Sequence, residues 1–254
     1  MKIDVVPATE NFRGMSYGDW AVLWNKWLLS EEPDNYAGSD VLFLRGNVDY
    51  KVLGGTTGGP RHSDPKGFYD RTGKKGEQIF EGTAIFFPVV NAQLNIGEIY
   101  DGRLIKNEED MRFVARKDID EGGAMWATIT RKGDKKATRI VKNLRDYRVE
   151  SPLFKLVVSQ KSQLRDRMES PLEPGIYDSV TVGYYVLIRS LPPSIYRIHF
   201  GGKGRGTYYT DSVYDITVHG KKKGDSVIDR SGYIITWSIN RHLSRMIVNG
   251  MRSI

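Results

Sequence analysis

Val180-Thr-Val-Gly-Tyr-Tyr-Val-Leu-Ile-Arg189, Ile195-Tyr-Arg-Ile-His-Phe200 and Tyr208-Tyr-Thr-Asp-Ser-Val-Tyr-Asp-Ile-Thr-Val218 are three runs rich in Val, Ile, Tyr and Thr. Leu191-Pro-Pro-Ser194 separates the first from the second, and Gly201-Gly-Lys-Gly-Arg-Gly206 the second from the third. β-branched and aromatic residues favour the pleated backbone, while Pro and Gly punctuate it, so the stretch predicts consecutive strands joined by turns. In the middle run His199 alternates with Ile198 and Phe200, which sets it on the opposite face of its strand.

Upstream, the same pattern predicts strands over Ala124–Thr130, Ala137–Val141 and Phe154–Val158, with Lys132-Gly-Asp-Lys135 as a turn. Strands at this spacing predict a mainly β chain, an antiparallel β-sandwich of jelly-roll or immunoglobulin-like type. Thr83-Ala-Ile-Phe-Phe-Pro-Val-Val90 is apolar on both faces, the pattern of a buried strand, and Pro88 predicts a bulge or an edge at its far end. Val41–Leu44 is a second buried strand, which Asn47–Leu53 can return beside. Gly54–Gly76 reads as a long loop, of a length that is usually functional or mobile.

Two short helices complete the pattern. Trp20, Leu23, Trp24, Trp27 and Leu28 fall at helical spacing, and three of the five tryptophans sit in that stripe. Ser16 caps this helix, with Asp19 three residues on as a short version of a capping box. The stripe predicts packing against a sheet. Asn107-Glu-Glu-Asp opens the second helix, with Met111, Val114 and Ala115 as its apolar face and an expected end near Asp118. Residues 1–218 are thus expected to form a sandwich body. Residues 219–254 read as a C-terminal extension or assembly arm, in which Tyr233–Ile239 is apolar enough to add a strand to a neighbour.

The 254 residues carry 38 Lys and Arg against 31 Asp and Glu, a net charge of +7, and no cysteine. A basic chain attracts polyanions, and Lys221, Lys222 and Lys223 with Arg241 and Arg245 are the candidate contact. The basic residues are otherwise scattered over turn-like segments, the pattern of solvated loops. The absence of cysteine excludes disulfides and thiol chemistry and fits a reducing compartment. The N-terminal residues lack the apolar core of a secretory signal, and no run has the length of a membrane span, so synthesis in the cytoplasm is expected.

Catalytic patterns are missing. His62, His199, His219 and His242 are too dispersed for a metal site, and His199 is better explained as a solvent-facing or hydrogen-bonded structural residue. Gly54–Gly59 lacks the Lys-Ser/Thr of a P-loop, and Lys203 and Arg205 in Gly201–Gly206 are better explained by a hairpin turn than by an anion cradle. Asp64, Asp70, Glu77 and Glu81 cannot be paired from sequence. No catalytic, cofactor-binding or metal residue is assigned.

The chain resembles a family of uncharacterised bacterial β-rich proteins with an N-terminal Ser-Tyr-x-Glu/Asp-Trp helix and an Ile-His-Phe-Gly-Gly hairpin. The matching residues are Ser16-Tyr-Gly-Asp-Trp20 with Trp24 and Trp27, Phe86-Phe-Pro88, Arg148-Val-Glu-Ser-Pro-Leu-Phe154, and Pro192-Pro-Ser194 leading to Ile198-His-Phe-Gly-Gly202, in order over residues 16–218. That resemblance brings no established activity. Family members often carry a leader and cysteines, whereas this chain has neither and adds residues 219–254. The combination looks like a related β domain recruited into a virus particle. The expected function is therefore a non-enzymatic virion accessory or decoration protein, a homo-oligomer or a partner of other particle proteins. The alternative is a carbohydrate-binding or glycan-active protein using the 54–76 loop with Phe68 and Tyr69.

Overall fold

A computed structural model describes residues 2–29, 41–46, 69–71, 76–100, 102–161, 173–205 and 209–220. The expected strand over 47–53, most of the 54–76 loop and everything from Lys221 onward, the basic triplet included, lie outside the described residues. The N-terminal part supplies β1 (Asp4–Val5), α1 (Tyr17–Leu28), β2 (Val41–Phe43), β3 (Tyr69–Arg71), β4 (Glu77–Phe80), β5 (Ala84–Asn95), β6 (Ile99–Tyr100) and β7 (Arg103–Leu104). After α2 (Glu108–Asp120) come β8 (Met125–Arg131), β9 (Thr138–Arg139), β10 (Arg148–Glu150), β11 (Phe154–Val158), β12 (Gly175–Ser190), β13 (Ser194–Lys203) and β14 (Tyr209–His219).

The chain is mainly β, a sandwich of two mixed sheets with two helices. In the first sheet the order is β1-β12-β5-β2, with β10 and β11 following β1 along the same side of β12. In the second it is β3-β14-β13-β8-β9, with β4 following β3 along β14. The long strands pair antiparallel as the sequence predicts, but β2 lies parallel to β5 and both β3 and β4 parallel to β14. A parallel neighbour needs a long connection rather than a hairpin, so local turn signals say nothing of it.

The first sheet is covered on both faces. Its inner face, with Val90, Leu94, Val180, Val182, Val186 and Ile188, meets Ile129, Tyr196, Ile198, Phe200, Tyr214 and Ile216 of the second sheet, and Met111, Val114, Ala115 and Ile119 of α2 join the same core. Its outer face is closed by α1. Trp20, Trp24 and Trp27 pack with Phe43, Phe86, Tyr185 and Leu187, and Phe86 stacks on Tyr185 with ring centroids 5.5 Å apart. A helix of 12 residues is marginal alone, so this burial holds it. Each aromatic removed from water contributes roughly 4–6 kcal/mol gross.

Local signals are met closely at α1. Ser16 and Asp19 form the full capping box, the Ser16 Oγ accepting from the Asp19 N–H at 3.2 Å and the Asp19 carboxylate accepting from the Ser16 N–H at 3.0 Å. Burial extends beyond the stripe, to Tyr17, Gly18, Trp20, Ala21, Val22, Trp24, Asn25, Trp27 and Leu28, with Leu23 only half-buried. Pro88 does not end its strand. β5 runs on to Asn95, and the ladder with β12 shifts register between Tyr184 and Tyr185, opposite Pro88. Proline has no N–H to give there, so one extra residue of β5, Val89 beside it, bulges out of the ladder. Pro88 also lies past the end of β2, which stops opposite Phe86.

Candidate ligand-binding face

The second sheet is covered on one side only among the described residues. Alternation sends Tyr196, Ile198 and Phe200 of β13 inward and Ile195, Arg197, His199 and Gly201 outward. The register then builds the outer face in rows. Trp126, Gly201 and Asp211 form one row, Thr128, His199 and Val213 the next, and Thr130, Arg197 and Asp215 the third. In the third row Arg197 donates two hydrogen bonds to Asp215, Nε to Oδ1 at 2.8 Å and Nη2 to Oδ2 at 3.0 Å.

The first two rows hold the candidate site. His199 Nε2 lies 2.6 Å from Asp211 Oδ1, and the Tyr209 hydroxyl donates to Asp211 Oδ2 at 3.3 Å. Burial and the neighbouring carboxylate push the Tyr209 hydroxyl up to about 12, so it stays protonated as a donor. Trp126 reaches from β8 to within 5.6 Å of the Tyr209 ring on β14, centroid to centroid, with β13 between them. Two strand spacings separate those backbones by roughly 10 Å, so the indole has to lie across the middle strand. It can do so because Gly201 occupies that position: a Cβ there would sit 2.7 Å from Trp126 Cζ2 and would collide with the Thr210 carbonyl oxygen. The bare Gly201 backbone is the floor on which the half-buried indole rests.

The indole nitrogen is 3.2 Å from the same His199 Nε2 that faces Asp211. Trp126, His199 and Asp211 are thereby linked through one ring nitrogen, which ties the three strands of the face together.

His199 is thus on the face the sequence predicts, hydrogen-bonded and part-exposed, and Trp126, Tyr209 and Asp211 join it. Nothing in residue spacing links these positions, because the strand register brings them together. Gly201 and Gly202 read as a turn in sequence, but they belong to β13 and pair with Asp211 and Thr210. Arg205 donates from Nε to Asp118 Oδ1 at 3.1 Å and from its backbone to the Asp118 carbonyl at 2.9 Å, which ties it to the end of α2. His219 pairs with Gln78 Oε1 at 2.7 Å. Asp70 stands in β3 and Glu77 in β4, both at the β14 edge. His62, His242, Asp64 and Phe68 lie outside the described residues.

A second charged cluster fastens α2 to β10. Arg116 grips Glu150 with Nη2 2.8 Å from Oε2, Arg148 bridges Glu150 Oε1 at 2.8 Å and Asp120 Oδ1 at 2.7 Å, and Arg112 Nη1 donates to the Ser151 carbonyl at 3.0 Å. The hydrogen bond from Arg116, joined by that from Arg148, holds the Glu150 carboxyl down at about 2 despite its partial burial. Every carboxylate of this cluster is matched by a guanidinium, which makes it a clasp between elements rather than a reactive group.

No family model, no curated protein and no solved structure matches the chain. Among the described residues no helix is long and apolar enough to cross a membrane.

Proposed function

We propose that this chain is a non-enzymatic structural protein that assembles with copies of itself, as an accessory or decoration subunit of a virus particle. The observation that carries the reading is an apolar ribbon at one end of the first sheet. β5 stops at Asn95, opposite Ser179, while β12 and β11 continue past it as a pair from Asp178 with Lys155 to Gly175 with Val158. On the outward side of this ribbon Val157 and Ile176 face each other across the strands, 40% and 70% exposed, and Leu153 at 43% stands just before β11, beyond the Lys155–Asp178 ion pair. These are three of the eight large apolar side chains exposed among the described residues. An exposed apolar edge is an aggregation hazard unless a partner strand or a neighbouring subunit uses it. A cysteine-free composition suits a particle assembled inside a cell.

Light scattering coupled to size exclusion on the full chain tests the reading. It expects a defined oligomer at low and high salt, since apolar contacts persist when charges are screened. Ile176→Asp is expected to reduce the oligomer to a smaller species while leaving the melting temperature within a few degrees. A full chain that is monomeric at both salts, or an Ile176→Asp variant with an unchanged oligomer, refutes it.

A further inference from the structure

We infer that the outer face of the second sheet is a binding site for a neutral saccharide, with Trp126 as its platform. This inference does not depend on the assembly reading and uses other residues. Sugar rings offer an apolar face of C–H groups edged by hydroxyls. A site for one therefore needs an aromatic plane with hydrogen-bonding groups fixed at its margin. The half-buried indole of Trp126, with Cζ2 over the bare backbone of Gly201 and the Tyr209 ring 5.6 Å away, is such a plane. At its margin stand the Asp211 carboxylate as an acceptor held by His199 and the Tyr209 hydroxyl, and the imidazole of His199, 41% exposed, to which the indole N–H is bonded.

The donors and acceptors are fixed before any ligand arrives. Asp211 is only 19% exposed and is hydrogen-bonded through both oxygens, so its side chain loses little freedom on binding. Cations on this face are dispersed rather than clustered: Arg197 is paired with Asp215, Lys203 stands opposite Tyr209 and Arg139 opposite Thr128. A polyanion site gathers cations, so the face suits an uncharged polyhydroxyl ligand better. One end of the 54–76 segment comes to the same sheet, because β3 pairs with β14 at Ser212–Tyr214, directly beside the Val213 row.

Native electrophoresis of the full chain through gels containing soluble neutral polysaccharides, a set of glucans, xylans, mannans and galactans, tests the site. At least one gel is expected to retard the protein equally at low and high salt. Trp126→Ala and Asp211→Asn are each expected to weaken that retardation about tenfold or more. Ile195→Ser, on the same face but away from the cluster, is expected to leave it unchanged. Thermal melts identify any variant that fails to fold; Asp211→Asn keeps shape and hydrogen-bonding capacity and serves if Trp126→Ala does not fold. The inference is overturned if no gel retards the wild type, if folded Asp211→Asn binds as well as wild type, or if retardation vanishes in high salt. The last result would point to a polyanion. Light scattering on the same samples reports oligomeric state separately, so a failure here leaves the assembly reading to its own test.

Discussion

Replacing Tyr17 by phenylalanine tests how the N-terminal segment is held on the central strand of the first sheet. The Tyr17 hydroxyl donates to the Val6 carbonyl at 2.5 Å and accepts from the Leu187 N–H at 3.2 Å, while the Val6 N–H donates directly to the Leu187 carbonyl at 3.0 Å. A side-chain hydroxyl is thus inserted where a ladder hydrogen bond between the two strands would otherwise form. Val6 and Leu187 are both 0% exposed, so water cannot take over when the hydroxyl is removed. Each orphaned buried backbone group costs about 1–3 kcal/mol, and partial closure of the gap recovers some of it, giving a net loss of about 2–4 kcal/mol. For a domain of this size that is roughly 5–10 °C in melting temperature. Urea unfolding gives the energy, and amide exchange at Leu187 gives the place, where protection should fall more than at neighbouring β12 amides. A loss below about 0.5 kcal/mol with Leu187 still protected refutes the inserted-hydroxyl account.

Two further predictions follow from other parts of the molecule. Glu150 has its carboxyl pulled down to about 2 from an unfolded value of 4.5, so its clasp stabilises the fold above the unfolded value and is lost as pH falls from 4.5 towards 2. Discounted for solvent screening this amounts to about 1–2 kcal/mol, so an acid titration of stability should be shallower by that much in Glu150→Gln. Glu98, which burial raises against the hydrogen bonds from Asn95, acts in the opposite sense, contributing stability at low pH that is lost as pH rises. Gly201→Ala places a Cβ against the Thr210 carbonyl and the indole of Trp126, and overpacking against backbone should lower stability by about 2–3 kcal/mol and change the near-UV dichroism of Trp126. A variant with wild-type stability and spectrum would show that the indole does not lie over that glycine.

What the sequence made legible is what local chemistry decides. Ser16 and Asp19 mark the start of α1, Asn107 caps α2 by accepting from the Asp110 N–H at 2.9 Å, and the apolar alternation of Phe154–Val158 matches β11 residue for residue. Where tertiary partners decide, the reading departs from the structure. The expected strand over Ala137–Val141 shrinks to Thr138–Arg139, paired with Thr128 and Ile129, and beyond it Ile140 adds one hydrogen bond to the Ala127 carbonyl. β12 begins at Gly175, five residues before the apolar run, because β11 supplies a partner there even for Gly175, Asp178 and Ser179. Gly201 and Gly202 carry the strongest local signal for a turn, yet they pair within the last residues of β13, and at Gly201 the Thr210 carbonyl and the indole of Trp126 leave no room for a Cβ. The two partners of the Tyr17 hydroxyl are 11 and 170 residues away, beyond any pattern of spacing.

The difference between the two sheets is itself written in the strands. β5 and the apolar part of β12 read as unbroken runs because α1 closes one face of the first sheet and the second sheet and α2 close the other. β13 alternates because its inner face packs against the first sheet and α2, while among the described residues no second layer lies on its outer face. On an uncovered face solubility asks only for polar side chains, and scattered Lys, Glu and Thr would meet that need. Here the face carries instead a tryptophan laid over a glycine, beside a tyrosine, a histidine and an aspartate bonded to one another. A glycine inside a strand weakens it by roughly 0.5–1 kcal/mol, and a half-exposed indole leaves apolar surface in water. The close approach of the Thr210 carbonyl and the indole of Trp126 calls for the glycine, so glycine and tryptophan stand or fall together, and it is the tryptophan, left half-buried beside Asp211 and His199, whose replacement by alanine separates a packing role from ligand recognition.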